Sequence, residues 1–441
     1  MKYKKTLFLF HRDLRLQDNL GFIEAVEHSE TVFPVFIFDK KQVGKENTYF
    51  SENAFQFMLE SLEELEKELD GKLSFFQGNT LELIPQIIKK YQIEALFCNR
   101  DYTPFARKRD NNIKKICAEL GIDFSIFDDA LLNPPEKVVK KDGKPYEVFT
   151  PYYKSASLHL VSYPKRHVGG KYEKISRDRL PEYKKNPHIF VNGGRERAKK
   201  ILVGIENLRN YANERDFPYI NQTSKLSAHH KFGTISIRET YHVIKKKLGP
   251  SHPLIRQLYW RDFFTHIAFF YPHVFGNAFQ HRYSSINWRS SEKDFALWCE
   301  GKTGFPFVDA GMRQLNKTGW MHNRLRMVVA SFLTKDLLID WRLGERYFAQ
   351  KLVDYDPCVN NGSWQWASST GCDAQPYFRI FNPWLQQKRF DPEGKYIKEY
   401  VPELKGYDPK SLLNPDGIEG YHPLICDHKE RTAEAKALFS K

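Results

Sequence analysis

The stretch Trp320-Met-His-Asn323-Arg324-Leu-Arg326-Met327-Val-Val-Ala-Ser-Phe332 decides how the C-terminal half of this chain is interpreted. Its apolar residues recur with a period of 3.6 and it contains neither Gly nor Pro, so it predicts a helix over 320–332. One face is apolar and should enter the core; it carries Leu325, Val328, Val329 and Phe332. A second face mixes an indole, an amide, a guanidinium and a thioether; it carries Trp320, Asn323, Arg324 and Met327. This second face indicates either a binding surface or an ordinary contact in a helical domain.

The sequence that follows favours a binding surface. Asp354-Tyr-Asp356-Pro357 is followed by Asn360-Asn361-Gly362-Ser363-Trp364-Gln365-Trp366, which we interpret as a loop rich in acceptors, amides and indoles. Loops of this composition usually carry function rather than packing.

Length and composition limit the class of protein. A chain of 441 residues is too long for one ordinary core and predicts two domains. The net charge of +14 favours a polyanionic partner, either nucleic acid or an anionic membrane surface, although the lysine-rich tracts 137–144 and 171–185 are also typical of solvated linkers. Because no span has the apolar length of a membrane helix or signal peptide, we expect a soluble intracellular protein.

Cysteine and tryptophan are distributed differently. The six cysteines contain no CxxC pair, so neither a zinc site nor a disulfide framework is indicated. All eight tryptophans lie between Trp260 and Trp384, so a function that needs indoles belongs to the C-terminal half.

The first 130 residues alternate between short apolar runs and helix-like stretches. The runs are 6–10, 32–38, 72–76, 95–98 and 123–127, and the helix-like stretches lie near 51–70, 80–91 and 104–120. Such alternation predicts a doubly wound parallel sheet in an α/β, Rossmann-like domain. The first turn, His11-Arg12-Asp13-Leu14-Arg15, lacks the glycines of a dinucleotide fingerprint, and there is no P-loop.

Domain bounds follow from changes in composition. Residues 1–130 form the predicted α/β domain, and 131–195, rich in Pro, Lys, Tyr and Gly, form a long connector. Amphipathic helices then dominate 196–441, which predicts an all-α second domain.

Two segments of the helical domain contain candidate binding residues. Hydroxyls and a lysine over Thr223-Ser224-Lys225-Leu226-Ser227 are consistent with a phosphate cradle or with simple helix capping. Gln257, Trp260 and Arg261 share a helix face suited to stacking on bases and pairing with phosphates. Alternatively, Trp260 belongs to the core and Arg261 pairs with a carboxylate.

Together these motifs resemble the photolyase and cryptochrome family, and within it the class I cyclobutane pyrimidine dimer photolyases. The likeness runs from the first strand to about residue 425. The segments that carry it are Trp260 to Phe263, Gly304 to Leu315, Gly319 to Met327, Asp336 to Arg342, Asn360 to Ser368 and Tyr377 to Pro383. The resemblance implies an antenna domain, an all-helical FAD domain that also holds the lesion, and blue-light repair of UV-damaged DNA by a monomeric lyase.

The resemblance also implies roles for individual residues. Positions matching the FAD contacts are Tyr211, Thr223, Ser224, Lys225, Leu226, Ser227, Arg261, Asn323, Arg326, Asp354, Asp356 and Asn360. Arg326 is expected to pair with Asp354, and Asn360 to face the flavin N5. Trp364, Trp341 and Trp288 match three indoles that relay an electron to the flavin.

The lesion pocket is expected to hold a flipped dimer between Trp260 and Trp366. Other positions that match lesion or DNA contacts are Gln257, Asn323, Arg324, Met327 and Gln386. The sequence departs from the family at Gln257, where most dimer photolyases carry glutamate, because an amide keeps a donor but cannot transfer a proton. The two histidines of (6-4) photolyases are not matched, which favours the cyclobutane lesion.

The antenna chromophore is predicted from two positions. Ala106 replaces a glutamate expected of folate-binding members, and Asp101 resembles the deazaflavin-binding type. A deazaflavin or flavin is therefore favoured over methenyltetrahydrofolate, and no metal is expected.

Two other function classes remain open. A cryptochrome-like FAD photoreceptor without repair activity is supported by Gln257, and Met327, Asn360 and Trp366 argue against it. A helical nucleic-acid-binding protein that does not depend on light would be free of flavin.

Overall fold

The structure, a computed structural model, describes residues 2–44, 46–176, 178–373 and 379–440. Contacts between residues divide the chain into two compact units. The first consists of Met1–Lys185, Val191–Glu206 and Ser224–Pro272, and the second of Asn186–Phe190, Asn207–Thr223 and His273–Lys441. The predicted domains 1–130, 131–195 and 196–441 rest on composition and stay predictions.

Five runs of aromatic and β-branched residues form the parallel sheet of the first unit. The strands are β1 (Tyr3–Phe10), β2 (Ser29–Asp39), β3 (Ser74–Gly78), β4 (Ala95–Asn99) and β5 (Asp123–Phe127). Their order is β3-β2-β1-β4-β5 and every pairing is parallel. The predicted α/β fold class is therefore confirmed.

Helices connect these strands and continue beyond them in the same unit. They are α1 (Leu20–His28), α2 (Lys40–Val43), α3 (Glu52–Glu68), α4 (Thr80–Tyr91), α5 (Pro104–Glu119), α6 (Phe149–Ala156), α7 (Arg195–Val203), α9 (Ser227–Phe232), α10 (Ile237–Leu248) and α11 (Pro253–Phe270). Polar side chains cap several of them; Asn19, Ser51, Asn79 and Thr103 accept bonds from backbone N–H groups at the starts of α1, α3, α4 and α5.

The carboxyl ends of β1 and β4 mark the point where strand order reverses, which is where open α/β sheets usually bind ligands. Here the end of α9 covers the turn after β1. The backbone N–H of Leu14 donates to Phe232 O at 3.0 Å, and Arg12 Nε donates to Lys231 O at 3.0 Å. Gly233 has φ +64°, and a Cβ there would lie 2.3 Å from Arg12 O. The turn after β1 is thus contacted by residues of the chain itself, which agrees with the missing glycine fingerprint.

The second unit is helical. Its helices are α8 (Tyr211–Glu214), α12 (Glu292–Glu300), α13 (Pro306–Thr318), α14 (Asn323–Ser331), α15 (Trp341–Lys351), α16 (Pro357–Ser368), α17 (Pro383–Phe390), α18 (Lys395–Tyr400) and α19 (His428–Phe439). A π-helix, Phe332–Asp336, follows α14 directly. The core joins α13 and α14 around Phe307, Leu315, Leu325 and Val329. The predicted all-α region after the sheet is confirmed.

Two predicted elements differ from the structure, at helix α14 and at helix α16. Helix α14 begins at Asn323 and not at Trp320, because His322 caps it; its Nδ1 accepts from Arg324 N at 3.1 Å. Trp320 precedes the helix and stacks on Phe190 with ring centroids 4.3 Å apart. It therefore does not belong to the mixed polar face of the helix.

The second error concerns the predicted loop over Asn360–Trp366, which lies within helix α16. Asp356 caps this helix by accepting from Cys358 N at 3.0 Å and Val359 N at 3.2 Å, and Pro357 occupies its first position. Asp before Pro is a helix-start signal that outweighs the low helix propensity of Asn and Gly downstream.

Candidate active site

Helix α14 separates its polar and apolar residues as predicted, apart from Trp320. Asn323 is exposed and Arg324 and Met327 are partly exposed, whereas Leu325, Val328 and Val329 are buried. Asn323 Nδ2 lies 3.6 Å from Met327 Sδ, so amide and thioether form one contiguous surface.

The positive charge of Arg324 is paired with a carboxylate of the same unit. Its Nη2 lies 3.0 Å from Asp216 Oδ1, and its guanidinium lies over the Phe390 ring at 4.2 Å from the centroid. Only 13% of the side chain is exposed. Contact with a DNA phosphate would therefore compete with Asp216 for the same guanidinium.

The predicted ion pair between Arg326 and Asp354 is present. Arg326 Nη2 donates to both carboxylate oxygens of Asp354, at 3.1 and 2.8 Å, and Nε donates to Met321 O at 2.8 Å. Asp354 is 8% exposed, so the guanidinium neutralises a nearly buried acid.

Asn360, on α16, is oriented by a buried acid on α15. Its Nδ2 donates to Glu345 Oε1 at 2.9 Å and to Glu345 O at 3.2 Å. Because these bonds use the amide's two protons, its Oδ1 is left as an acceptor.

The three predicted relay indoles differ in burial. Trp364 on α16 and Trp341 at the start of α15 are 2% and 1% exposed. Trp288 is partly exposed and meets Phe439 edge-to-face at 5.7 Å. Trp364 and Trp341 are thus buried and Trp288 is nearer the solvent, while the role of the three indoles in a relay stays a prediction.

Close aromatic contacts fix the Trp364 ring. Phe348 meets it edge-on at 4.9 Å, and Trp298 does so at 6.2 Å. Gly344 makes room for it, since a Cβ there would lie 2.2 Å from Trp364 Cη2. Trp298 itself is anchored by a bond from Nε1 to Val329 O at 3.1 Å.

The other predicted lesion residues of this unit are partly buried. Trp366 lies two residues beyond Trp364 on α16 and packs against the core. Gln386 lies on α17, and its buried Oε1 has no hydrogen-bond partner within the part of the chain that the structure describes. An unpaired buried amide oxygen is the kind of group that a ligand donor would satisfy.

Tyr211 and Thr223 also lie in the second unit. Tyr211 is buried at the start of α8 with Arg215 over its ring, and burial raises the pKa of its hydroxyl. Thr223 Oγ1 is buried without a partner among the described residues. The segment from Tyr377 to Pro383 begins outside the described residues, which resume at 379.

In the first unit, the predicted face of α11 is present. Gln257, Trp260 and Arg261 are partly exposed, while Leu258, Tyr259 and Asp262 between them are buried. Arg261 Nη1 donates to Ala130 O at 2.6 Å and Nη2 to His230 O at 3.3 Å. The alternative of an ordinary structural role is confirmed for Arg261, whose Nη1 forms an ion pair with Asp262 Oδ1 at 3.7 Å, whereas Trp260 is partly exposed and not a fully buried core residue.

The short segment from Ser224 to Ser227 leads into α9. Lys225 has the left-handed φ of +56°, and Leu226 occupies the cap position of the helix. Burial lowers the pKa of Lys225, a shift that an adjacent anion would oppose.

Asp101, predicted to contact the antenna chromophore, is already hydrogen-bonded. It accepts from Thr103 N at 3.2 Å and lies 3.4 Å from Arg12 Nη1. Burial would raise the pKa of its carboxyl, but Arg12, Lys231 and Arg109 make the net shift downward. It is therefore held as an anion at neutral pH.

Comparison with known proteins identifies the family. The family model described as DNA photolyase matches residues 6–167, and the one described as FAD binding domain of DNA photolyase matches residues 254–441. The deoxyribodipyrimidine photo-lyase of Alkalihalophilus pseudofirmus is 39% identical, with 98% of this chain and 96% of the relative covered. The chain belongs to the DNA photolyase family.

Solved structures of similar proteins agree with this membership. An archaeal photolyase from Sulfolobus tokodaii, described with two FAD molecules and a novel light-harvesting cofactor, is 40% identical, covers 99% of each chain and has a TM-score of 0.88. A Synechocystis cryptochrome is 26% identical, with 99% of each chain covered and a TM-score of 0.90. Photolyase and cryptochrome thus share this fold, and the site residues must distinguish them.

Three residues that contact predicted site residues were missed from the sequence. Glu345 orients Asn360, Trp298 contacts Trp364, and Phe149 stacks on Trp260. Trp298 lies within the recognised tryptophan-rich region, whereas no local pattern marks Glu345 or Phe149. Across the described ranges, no group of three or more His, Cys, Asp or Glu residues is placed to hold a metal ion. None of the described helices has both the length and the apolar content to cross a membrane.

Proposed function

We propose that this chain is a deoxyribodipyrimidine photo-lyase, an enzyme that splits cyclobutane pyrimidine dimers in DNA under blue light. The observation that carries the proposal is its likeness, over nearly its whole length, to relatives of that name. A DNA substrate places the activity inside the cell, and we expect the enzyme to act as a monomer.

The residues present suit FAD. Asn360 has its amide protons engaged by Glu345, so its Oδ1 is available to accept from a protonated flavin N5. Thr223 Oγ1 is a buried hydroxyl that lacks a partner among the described residues, and Lys225 is a cation whose charge is disfavoured by burial. A polar ligand oxygen would satisfy the Thr223 hydroxyl, and a ligand phosphate would favour the charged form of Lys225.

The remaining proposed contacts to FAD are those carried by the family resemblance: Tyr211, Ser224, Leu226, Ser227, Arg261, Asn323, Arg326, Asp354 and Asp356. Arg326 keeps the charge of Asp354 compensated beside the site. When bound and reduced, FAD supplies on excitation the electron that opens the cyclobutane ring.

The protein's own part in repair is to bind and orient the lesion. From the family resemblance we assign to Trp260 and Trp366 the aromatic surfaces for the flipped pyrimidines, and to Met327 and Gln386 further contacts to the lesion. Gln257 donates a hydrogen bond to a pyrimidine carbonyl through its amide, without a proton to transfer. A dimer stacks poorly in a duplex, so its extrusion costs less than that of normal bases.

The positive net charge of the protein favours the binding of DNA. The net charge of +14 attracts the DNA backbone, and Arg324 reaches a phosphate at the expense of its pair with Asp216. Trp364, Trp341 and Trp288 serve a separate purpose, the delivery of an electron from the surface to reactivate oxidised FAD.

For the antenna we propose a flavin or deazaflavin near Asp101. Support comes from Ala106, which offers no carboxylate to a folate, and from the Sulfolobus tokodaii relative described with two FAD molecules.

The test is repair of an oligonucleotide containing one cyclobutane thymine dimer by chemically reduced holoprotein, with restored thymine quantified by chromatography. Blue light should restore the thymines, and a dark sample and a (6-4) photoproduct oligonucleotide should remain unrepaired. A flavin-bound, photoreducible protein that repairs neither lesion would instead establish the photoreceptor function that Gln257 leaves open. A protein that purifies without flavin would contradict both the photo-lyase function and the photoreceptor function.

A further inference from the structure

The Trp260 ring is stacked face to face with Phe149. Their centroids lie 3.6 Å apart and their planes differ by 7°. Phe149 is the first residue of α6 and is 1% exposed, whereas Trp260 is partly exposed on α11. The phenyl ring is thus buried beneath an indole that reaches the surface.

Further contacts hold Phe149 in place. Helix α6 packs against α11, Tyr153 lies nearly parallel to Phe149 at 5.9 Å, and Phe263 meets it edge-on at 5.7 Å. The guanidinium of Arg256 lies 5.1 Å from the Phe149 centroid. Arg256 is exposed and lies one helical turn before Trp260 on α11. It adds a cation–π contact to Phe149 at the solvent-exposed side of these aromatic rings.

Phe149 covers one face of the Trp260 indole. Carbon atoms in van der Waals contact lie about 3.5–4.0 Å apart, so no third ring can enter between Phe149 and Trp260. A pyrimidine can therefore stack only on the opposite face of the indole. Phe149 also fixes the plane of that face before the lesion arrives, which removes part of the ordering penalty of binding.

We propose that Phe149 is a positioning residue for lesion recognition, which closes one face of Trp260 and holds the other ready for a flipped pyrimidine dimer. The proposal rests on the proposed role of Trp260 in the lesion pocket. Undamaged DNA is held through its phosphates and leaves its bases stacked, so it does not use this surface. Phe149 should consequently affect the preference for damaged DNA rather than overall DNA affinity.

The experiment compares dark binding of dimer-containing and undamaged oligonucleotides by holoprotein variants. Phe149→Leu should weaken dimer binding about fivefold to tenfold, while affinity for undamaged DNA changes less than about twofold. Phe149→Tyr should restore dimer affinity to within about twofold of wild type, because it restores the ring. If Phe149→Leu does not fold, Phe149→Met, which fills the gap with a flexible side chain, replaces it.

Phe22→Leu is the matched control. Phe22 is fully buried in the same unit, and its described ring contacts are with Phe8, Phe10, His167 and Tyr172, so the same change in volume leaves the Phe149–Trp260 stack intact. Equal losses of dimer affinity in the Phe149 and Phe22 variants would show a general packing effect and overturn the proposal. Unchanged dimer preference in Phe149→Leu would also overturn it.

Trp260→Ala separates this inference from the function on which it rests. If wild type prefers dimer DNA and Trp260→Ala abolishes that preference while Phe149→Leu retains it, only the positioning role fails. If wild type shows no preference for dimer DNA, the lesion pocket and the role of Phe149 fail together.

Discussion

Asn360 and Glu345 form a buried pair in which the amide donates and the carboxylate accepts, with Nδ2 and Oε1 2.9 Å apart. They are 9% and 5% exposed. Because Glu345 accepts from Asn360 Nδ2 through both Oε1 and its backbone O, the opposite end of the amide, Oδ1, is the end available to the flavin.

Glu345→Gln should weaken this control. A glutamine amide can donate as well as accept, so Asn360 can turn over and present Nδ2 instead of Oδ1. We expect the reduced form of FAD to be less favoured and its reoxidation by air in the dark to accelerate about tenfold, measured from the flavin absorbance. Glu300→Gln, which changes an exposed acid, is the control. Equal reoxidation rates in wild type and Glu345→Gln would contradict the orienting role.

Gly344→Ala should disturb the relay at its buried end. The new methyl group would lie 2.2 Å from Trp364 Cη2 and 2.5 Å from Leu333 Cδ2, so the indole must move. Photoreduction of oxidised FAD should slow by about tenfold or more, followed by absorbance under blue light. Gly406→Ala is the control, because a Cβ at Gly406 meets no described atom within 4 Å. The assignment of Trp364 to the relay would be weakened if both variants photoreduced like wild type.

Arg324 and Asp216 should have opposite effects on DNA binding. Arg324→Ala removes a cation and should weaken binding to dimer DNA, with the slope of log affinity against log salt reduced by about 1. Asp216→Asn releases Arg324 from its ion pair at 3.0 Å and should tighten binding and steepen the slope. Arg313→Ala breaks a different pair, with Glu403, and serves as control. Identical slopes for all four proteins would remove Arg324 from the phosphate contacts.

Asp262 should make stability depend on pH. Burial raises the pKa of its carboxyl from 3.8 to about 7, although the adjacent Arg261 cation and hydrogen bonds from Asn133 N and Leu132 N oppose the shift. The folded state therefore binds the proton more tightly than the unfolded state between these values, and stability falls as pH rises from about 4 to about 7.

Asp262→Asn removes this titration and keeps an acceptor for both N–H groups. The midpoint of thermal unfolding of the variant should rise relative to wild type between pH 5 and pH 8, by the equivalent of about 3 kcal/mol at most. A difference between the two proteins that stays constant over that range would show that Asp262 does not titrate there.

Structural features that have a single physical cause could be predicted from the sequence. Alternating apolar runs specified all five strands to within a few residues, and helical spacing placed Gln257, Trp260 and Arg261 on one partly exposed face. The family, the fold class and the lyase function were confirmed by the comparisons. The site assignments stay predictions, although the ion pair of Arg326 with Asp354 is present.

The features that the sequence did not predict correctly depend on tertiary contacts or on competing local signals. Helix α16 was mistaken for a loop because Asn and Gly were given more weight than the Asp356–Pro357 start. Glu345 and Phe149 act through residues distant in sequence, and Phe149 lies in a segment that composition alone describes as a connector. The contacts of Glu345 with Asn360 and of Phe149 with Trp260 produce no periodic or local pattern in the sequence.

The most direct test of the account is single-turnover repair of a thymine-dimer oligonucleotide by chemically reduced wild type and Trp364→Phe under blue light. Both proteins should restore thymine with the same yield per absorbed photon, while only wild type should recover from the oxidised state by photoreduction. No restoration of thymine by reduced, flavin-loaded wild type would contradict the lyase function. Loss of repair in reduced Trp364→Phe, with FAD still bound, would contradict the separation of the relay from the repair reaction.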